Sequence, residues 1–388
     1  MLGGVDRHLA FVSLPAHGHV NPTLPLVAEL VRRGRRVSYA TGEQFRADVE
    51  KAGATLVPTP PQPAGLPPSV TGPAVFASFL QRILIDARAA LPVLTAHFRA
   101  DPPRAVCFDA LGLAGRILAA HTEAADVALV PSFATNEHSS PFARGATAPP
   151  PEVLSVIREM TGLAAAHGVE LQRGVGLLAP ASLNIVFVPR EFQPGGDTFD
   201  ARFRFVGPSP ADREDDPGWA PPDEPVLFVS LGTAFNDRPG FYRTCLEAFA
   251  DRLPVAMAVG QHVRLDDLGP VPANVDVRPW FPQPAVLRHA GAFISHAGMG
   301  STMEALYYGV PLVCVPQMIE QEVNAGRVAE LGLGVRLDAR HLTAADLRAA
   351  VETVTSDLAV HAALGRMQVA IRSAGGAVAA ADAVEAHL

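Results

Sequence analysis

The sequence predicts an α/β protein of two tandem domains, each built on a parallel sheet, and three observations support this prediction. The chain has 388 residues, which is too long for one ordinary domain but suits two of about 150–200 residues each. Short apolar runs alternate with segments of helical periodicity both before and after residue 207. Between the two series, residues 207–223 carry five prolines and a run of charges, a composition typical of an inter-domain linker.

In the first half, the alternation begins with the apolar strand predicted at residues 8–14. Leu24, Val27, Leu30 and Val31 share one face of the helix that follows, and Gly34 is placed to end it. Strand, helix and strand in this order imply right-handed crossovers and a parallel sheet. Further elements are predicted as strands at 36–41, 54–57, 105–108, 126–130 and 184–188, and as a helix at 44–52.

Two proline-rich segments, residues 58–73 and 139–151, interrupt this first series. Their length and composition do not favour regular structure. Two interpretations remain open for both segments, either mobile surface or loops that cover a pocket.

The second half repeats the alternation, with strands predicted at 226–230, 255–259, 293–295 and 312–315 and a helix at 242–250. The last forty or so residues are rich in alanine and predicted to be helical. We therefore divide the chain into residues 1–206, a linker at 207–223 and residues 224–388. Open α/β sheets bind ligands at the carboxyl ends of their strands, so we expect both sheets to face a cleft between the domains.

The composition argues against several classes of protein. The net charge of −8 and pI of about 5.9 are unlike the basic surface of a nucleic-acid-binding protein. No stretch of 18 apolar residues and no signal-peptide pattern occurs, so we expect no membrane span and a cytoplasmic protein. The three cysteines are odd in number and widely spaced, which argues against a disulfide scaffold or a thiolate zinc site and fits a reducing compartment.

The loop after the first strand holds the first candidate catalytic residue, His19. A histidine titrates near neutral pH and can accept a proton from a hydroxyl group. Asp109 ends a strand of the same predicted sheet and could orient that imidazole. The alternatives are structural: His19 could cap the helix beginning near Pro22, and Asp109 could be the N-cap of a helix beginning near Leu111.

The second half contains a stronger signal, where a strand ends at His296 and a glycine-rich turn leads into a helix predicted to start near Gly300. Backbone N–H groups at a helix start, together with the helix dipole, favour a bound anion such as a diphosphate. The turn lacks the third glycine of the dinucleotide fingerprint, and the chain has no GK[ST] phosphate loop. It also has no Asp-x-Asp pair, so we expect no metal ion at the diphosphate.

These residues belong to a longer pattern. It comprises Trp-x-Pro-Gln at Trp280, His-x-Gly-x-x-Ser-x-x-Glu at His296, and Gly-x-Pro at Gly309, then Glu320-Gln321, with Gly-His-x-x-Pro near the N-terminus. The pattern resembles the nucleotide-sugar signature of family 1 glycosyltransferases, and most of all the bacterial macrolide-glycosyltransferase subgroup. That resemblance implies a GT-B fold of two Rossmann-like domains, the first binding the acceptor and the second the nucleotide sugar. In relatives of this kind the last helix crosses back to the first domain.

The resemblance also implies a role for each residue. Trp280 would stack on the base and Gln283 would bind near base or ribose. His296, Gly298, Gly300 and Ser301 would hold the diphosphate, Gly232 and Thr233 would close over it, Glu304 would bind the ribose, and Glu320 and Gln321 the sugar. His19 would be the general base and Asp109 its partner. Plant relatives have Asn at the Gly300 position, where glycine lacks the side-chain donor but keeps the N–H for a phosphate. They have Asp at the Glu320 position, where glutamate is one methylene longer and so bears on which sugar is bound.

The function this implies is inverting, metal-independent transfer of a hexose, glucose in the first instance, from a UDP-sugar to a hydroxyl of a hydrophobic natural product such as a macrolide, flavonoid or other phenolic. Two alternatives stay open. One is a TDP-deoxysugar glycosyltransferase of an antibiotic pathway, and the other is a non-catalytic binding or self-protection protein. We expect no cofactor beyond the co-substrate, no nucleic-acid partner, and a monomer or homodimer.

Overall fold

The computed structural model describes residues 8–61, 73–140, 150–171, 179–210, 219–233 and 236–388. The chain divides into two compact units, one formed by Met1–Gly207 with Ala374–Leu388 and the other by Pro208–Ser373. Each unit contains one sheet of parallel strands with helices between them, so the predicted fold class is confirmed. Most of the two proline-rich segments, and residues 211–218 of the predicted linker, lie outside the described residues.

The sheet of the first unit has seven parallel strands within the described residues, in the order β3-β2-β1-β4-β5-β6-β7. The strands are β1 (His8–Val12), β2 (Arg36–Gly42), β3 (Thr55–Thr59), β4 (Ala105–Asp109), β5 (Ala125–Val130), β6 (Leu183–Val186) and β7 (Phe203–Phe205). All residues of β1 and β4 are buried. The pairing of Val12 with Phe108 brings the carboxyl ends of β1 and β4 to the same level.

The helices of the first unit include several that the sequence did not predict. They are α1 (His17–Val20), α2 (Leu24–Arg32), α3 (Arg46–Lys51), α4 (Pro73–Arg99), α5 (Leu113–Thr122) and α6 (Pro151–Ala166). The predicted loop after β1 contains the single turn α1, because His19, Val20 and Asn21 donate backbone hydrogen bonds to Ala16 and His17. The predicted end of α2 is confirmed, since Gly34 follows it with a φ of 83°.

The sheet of the second unit has six parallel strands in its described part, in the order β10-β9-β8-β11-β12-β13. The strands are β8 (Val226–Ser230), β9 (Val255–Ala258), β10 (Val275–Arg278), β11 (Ala290–Ser295), β12 (Leu312–Cys314) and β13 (Gly334–Arg336). The helices are α7 (Pro239–Phe249), α8 (Gln283–Leu287), α9 (Met299–Tyr308), α10 (Ile319–Glu330), α11 (Ala344–Ser356) and α12 (Leu358–Ser373). Apolar residues of α7 and α11 form one core with the strands.

The C-terminal helix α13 (Gly376–His387) belongs to the first unit. Its Ala380, Ala381 and Val384 are fully buried in the core that also contains α2. Arg33, at the end of α2, donates hydrogen bonds to Asp382 at 2.6 Å and to Glu385 at 2.9 Å. Apolar burial and ion pairs therefore both hold α13 in place. None of the described helices is long and apolar enough to cross a membrane.

Arg33 allows a direct test of how α13 is held. Its side chain is 19% exposed and contacts Glu29, Asp382 and Glu385, so Arg33→Ala leaves three neighbouring carboxylates without their shared cation. We expect a loss of about 1–3 kcal/mol in the free energy of unfolding, measured by urea titration. Arg32→Ala is the matched control, because Arg32 also pairs with Glu29 but is 71% exposed, and it should cost clearly less than Arg33→Ala. Equal losses in both variants would contradict this account.

Candidate active site

The structure brings His19 and Asp109 together in the first unit. His19 lies in α1, directly after β1, and Asp109 is the last residue of the neighbouring strand β4. Nδ1 of His19 is 2.6 Å from Oδ2 of Asp109. The Asp109 side chain is 2% exposed, whereas the His19 side chain is 23% exposed. The imidazole is therefore tied to a buried carboxylate and still reaches solvent.

The second oxygen of Asp109 is also engaged, because Oδ1 accepts a hydrogen bond from the backbone N–H of Leu111 at 2.9 Å. Neither structural alternative from the sequence is correct. The N-cap of α5 is Gly112, and no side chain caps that helix. His19 does not cap the next helix either, since α2 begins at Leu24 with Thr23 as its N-cap.

This arrangement suits general-base chemistry. With Nδ1–H donating to a carboxylate, the neutral imidazole carries its lone pair on Nε2, the nitrogen that can accept a proton. The carboxylate also stabilises the imidazolium that such a transfer creates. The pair therefore fixes both the tautomer and the orientation of His19.

A buried hydroxyl group, that of Tyr39, lies near Asp109 and was not predicted from the sequence. Tyr39, in β2, is fully buried, and its hydroxyl lies 2.6 Å from Oγ1 of Thr23. Burial raises the pKa of Tyr39 to about 12, with the negative charge of Asp109 adding to the effect. In the sequence Tyr39 lies within an apolar strand, and nothing distinguishes it there from the other buried residues of that strand.

In the second unit, the glycine-rich turn joins β11 to α9. The strand ends at Ser295, Gly298 is the N-cap, and α9 begins at Met299, one residue before the predicted start. Its first N–H groups lack intrahelical acceptors, and no side chain caps the helix. The turn is therefore built as the sequence predicted, with a helix N-terminus suited to an anion.

Two glycines leave room for the His296 ring. A Cβ on Gly232 would lie 2.6 Å from both Cε1 and Nε2 of His296, and a Cβ on Gly298 would overlap Nε2 as well. Gly232 also has a φ of 78°, which disfavours any other residue. Gly300 differs, since a Cβ there would meet no atom within 4 Å. Gly232 and Gly298 are thus required by packing, and Gly300 is not.

His296 is held in its neutral form. Burial lowers its pKa from 6.5 to about 4, a shift that a hydrogen bond with the Ser230 backbone only partly offsets. Its Nδ1 is buried without a hydrogen-bond partner. Near pH 7 His296 can therefore act on an anion through hydrogen bonding and shape, but not through a positive charge.

Three further predicted residues form one cluster across α8 and α9. Nε2 of Gln283 donates to Oε2 of Glu304 at 2.6 Å and lies 3.3 Å from Oγ of Ser301. Glu304 is only 7% exposed. Trp280, three residues before Gln283, is 62% exposed and so is not the core residue that its apolar character alone would suggest. An exposed indole beside a hydrogen-bonding cluster suits a planar, hydroxyl-bearing ligand.

The remaining predicted residues are Glu320, Gln321 and Thr233, and their positions say less about a ligand. Glu320 and Gln321 lie in the first turn of α10, where Glu320 is exposed and Gln321 is 7% exposed. Oε1 of Gln321 accepts from the Gln317 N–H at 2.8 Å and so supports the preceding loop. Thr233 is exposed, and residues 234 and 235 after it lie outside the described part. Within that part, no group of three or more His, Cys, Asp or Glu residues could hold a metal ion.

Comparisons with known proteins identify the family of this chain. Residues 223–365 match the family model of UDP-glucuronosyl and UDP-glucosyl transferases. The chain is 40% identical to the NDP-glycosyltransferase YjiC of Bacillus licheniformis over 98% of each chain. It is 36% identical to the demethyllactenocin mycarosyltransferase of Streptomyces fradiae, covering 98% of this chain and 86% of that one. The crystal structure of CalG4, the calicheamicin glycosyltransferase, superposes with a TM-score of 0.87 at 39% identity, over 99% and 98% of the two chains.

The two parallel sheets and these matches define a glycosyltransferase of the GT-B fold. Within that class, the chain belongs to family 1, the UDP-glucuronosyl and UDP-glucosyl transferase family, with relatives among the antibiotic glycosyltransferases.

The pKa of His296 predicts a pH dependence of stability. The unfolded chain binds this proton near pH 6.5 and the folded chain near 4, so acidification through that window favours unfolding. The stabilisation is complete above about pH 6.5 and is lost as the pH falls toward 4. His296→Gln lacks this titration, so the difference in unfolding free energy between wild type and variant should shrink on acidification. A difference that stays constant from about pH 7.5 to 4.5 would contradict the assignment.

Proposed function

We propose that this glycosyltransferase transfers a hexose, glucose in the first instance, from UDP to a hydroxyl of a hydrophobic natural product, with inversion and without a metal ion. The observation that carries the catalytic part of the proposal is the 2.6 Å contact between Nδ1 of His19 and buried Asp109. A base of this kind is what an acceptor hydroxyl needs before it attacks the anomeric carbon. The residues for the donor lie in the second unit.

The donor assignment is the one that the resemblance to family 1 glycosyltransferases implies. Trp280 stacks on the base, Gln283 binds near base or ribose, and Glu304 accepts from the ribose hydroxyls. Gly298, Gly300 and Ser301, at the start of α9, hold the diphosphate with His296, while Gly232 and Thr233 close over it. Glu320 and Gln321 bind the sugar. The exposed Trp280 and the buried Gln283–Glu304 contact support this order along the nucleotide.

The proposed reaction is a single displacement. Nε2 of His19 takes the hydroxyl proton as the acceptor oxygen forms its bond to the anomeric carbon, and the bond to the diphosphate oxygen breaks on the opposite face. Asp109 stabilises the resulting imidazolium. The nucleoside diphosphate leaves with an extra negative charge, which the N–H groups of α9 stabilise. Preorganised donors of this kind contribute several kcal/mol in other enzymes.

The acceptor class is supported by the relatives. Two of them carry the names of the compounds demethyllactenocin and calicheamicin. We propose an acceptor of similar character, a hydrophobic molecule with a free hydroxyl, such as a macrolide, flavonoid or other phenolic.

A TDP-deoxysugar is the alternative donor, and the relative named a mycarosyltransferase favours it. Glu320 and Gln321 favour a hydroxyl-rich sugar, because polar groups left unpaired by a deoxysugar would carry a penalty. The non-catalytic alternative, a binding or self-protection protein, is separated from both by turnover itself.

A donor panel tests the proposal. Purified full-length protein is incubated with UDP-glucose, TDP-glucose and a TDP-deoxysugar against a small set of macrolides, flavonoids and phenolics, and products are read by mass spectrometry. We expect glucosylated products with UDP-glucose, unchanged by EDTA. A preference for the TDP-deoxysugar would select the alternative donor, restoration by Mg²⁺ after EDTA would refute the metal-free account, and no turnover would select the binding protein.

The catalytic pair is tested by His19→Ala and Asp109→Asn. We expect His19→Ala to lower kcat by about 10²–10⁴, the usual contribution of a general base, with little change in UDP affinity. Asp109→Asn should also lower kcat, because asparagine does not stabilise an imidazolium. The loss should be milder, because asparagine can still accept from the Leu111 N–H. Calorimetry with UDP and thermal unfolding serve as controls for folding. Near-normal turnover in the His19 variant would remove this residue from the mechanism.

A further inference from the structure

The turn that leads into α9 contains a residue in an unfavourable conformation. Ala297, between His296 and Gly298, has a φ of 61°, in the left-handed region that disfavours residues with a Cβ. It is fully buried. Ordinary residues keep such a conformation only when the surrounding structure enforces it, and such sites cluster where ligands bind.

One side chain from outside the turn holds Ala297. Asn324, in the middle of α10, is fully buried, and its Nδ2 donates a 2.9 Å hydrogen bond to the Ala297 carbonyl. Within the turn, the Ala297 N–H donates to Oγ of Ser295 at 3.1 Å. Both peptide groups of Ala297 are therefore fixed, one by its own strand and the other by α10.

The orientation of this carbonyl decides where the next N–H points. The Ala297–Gly298 peptide is planar and trans, so the Gly298 N–H is directed opposite to the Ala297 carbonyl. Because Asn324 fixes that carbonyl toward α10, the N–H at the N-cap of α9 is directed away from α10. The same peptide carries the Gly298 backbone that lies against the His296 ring.

We propose that Asn324 is a positioning residue for the diphosphate of the nucleotide sugar. It does not touch the ligand. It holds Ala297 in the left-handed conformation and thereby orients the Gly298 N–H and the His296 ring toward the phosphate oxygens. This inference rests on the proposed function, in which the start of α9 binds the diphosphate.

The test compares three full-length variants by calorimetry with UDP and TDP. Asn324→Ala should weaken nucleotide binding about tenfold, the effect of one lost buried hydrogen bond. Ala297→Gly alone should bind nearly as wild type does. The double variant should bind the nucleotide about fivefold more tightly than Asn324→Ala does, because glycine adopts a positive φ without the cost that alanine meets. In steady-state assays, KM for the nucleotide sugar should rise while KM for the acceptor stays unchanged.

A matched control exists elsewhere in the same unit. Asn274 donates to the carbonyls of Phe249 and Leu253 at 2.9 and 2.7 Å, and its Oδ1 accepts from the N–H of Asp251, another residue with positive φ (53°). Asn274→Ala removes the same kind of support from a different turn. It should lower the thermal midpoint at least as much as Asn324→Ala does, yet leave UDP affinity unchanged. Equal weakening of UDP by both variants would show a merely structural role and overturn the proposal.

The remaining outcomes are equally decisive. Wild-type affinity in Asn324→Ala, or no recovery in the double variant, would overturn the role of Asn324 while leaving the proposed function in place. Binding of neither UDP nor TDP by the wild type would overturn the proposed function itself, and the inference with it. Asn324→Thr, close to asparagine in volume but without the amide donor, replaces the alanine variant in every comparison if that variant does not fold.

Discussion

The parallel pairing of neighbouring strands is the constraint on which the candidate residues of each unit depend for their positions. In the first unit β1 lies beside β4, so His19, which follows β1, and Asp109, which ends β4, meet at one edge. In the second unit β8 lies beside β11 with Ser230 opposite Ser295. That register brings Gly232 against His296. Backbone hydrogen bonds between strands therefore bring together residues that are 90 positions apart in one unit and more than 60 apart in the other.

Regular elements and strand-end residues were predictable from the sequence, since apolar periodicity and the common edge of a parallel sheet act locally. Backbone conformation and distant support were not. The residues around Ala297 do not predict a positive φ, and α1 is too short to show a helical periodicity. The sequence does contain a sign of the role of Asn324, because Gln321 and Asn324 occupy the buried face of α10 with Val328. Amides on an otherwise apolar helical face indicate backbone carbonyls that need donors.

The two units use electrostatics in different ways. In the proposed reaction, the buried carboxylate beside His19 stabilises the positive charge that proton transfer creates. Around His296, burial keeps the ring neutral, so in the proposed donor site the response to a phosphate comes from backbone dipoles and shape. Fixed dipoles need no reorganisation when charge develops on a leaving group. The glycines and the Asn324–Ala297 hydrogen bond are therefore parts of an electrostatic device, although none of them is charged.

The position of α13 has a consequence for synthesis on the ribosome. Val384 is buried in the core of the first unit, although it follows every residue of the second unit in the sequence. That core therefore stays incomplete until α13 has been translated, whereas every residue of the second unit is made before α13. The second unit is topologically an insertion within the first, and it is the part of the chain that can complete its folding first. A stalled or truncated chain would expose the apolar surface of α2 and present it to chaperones.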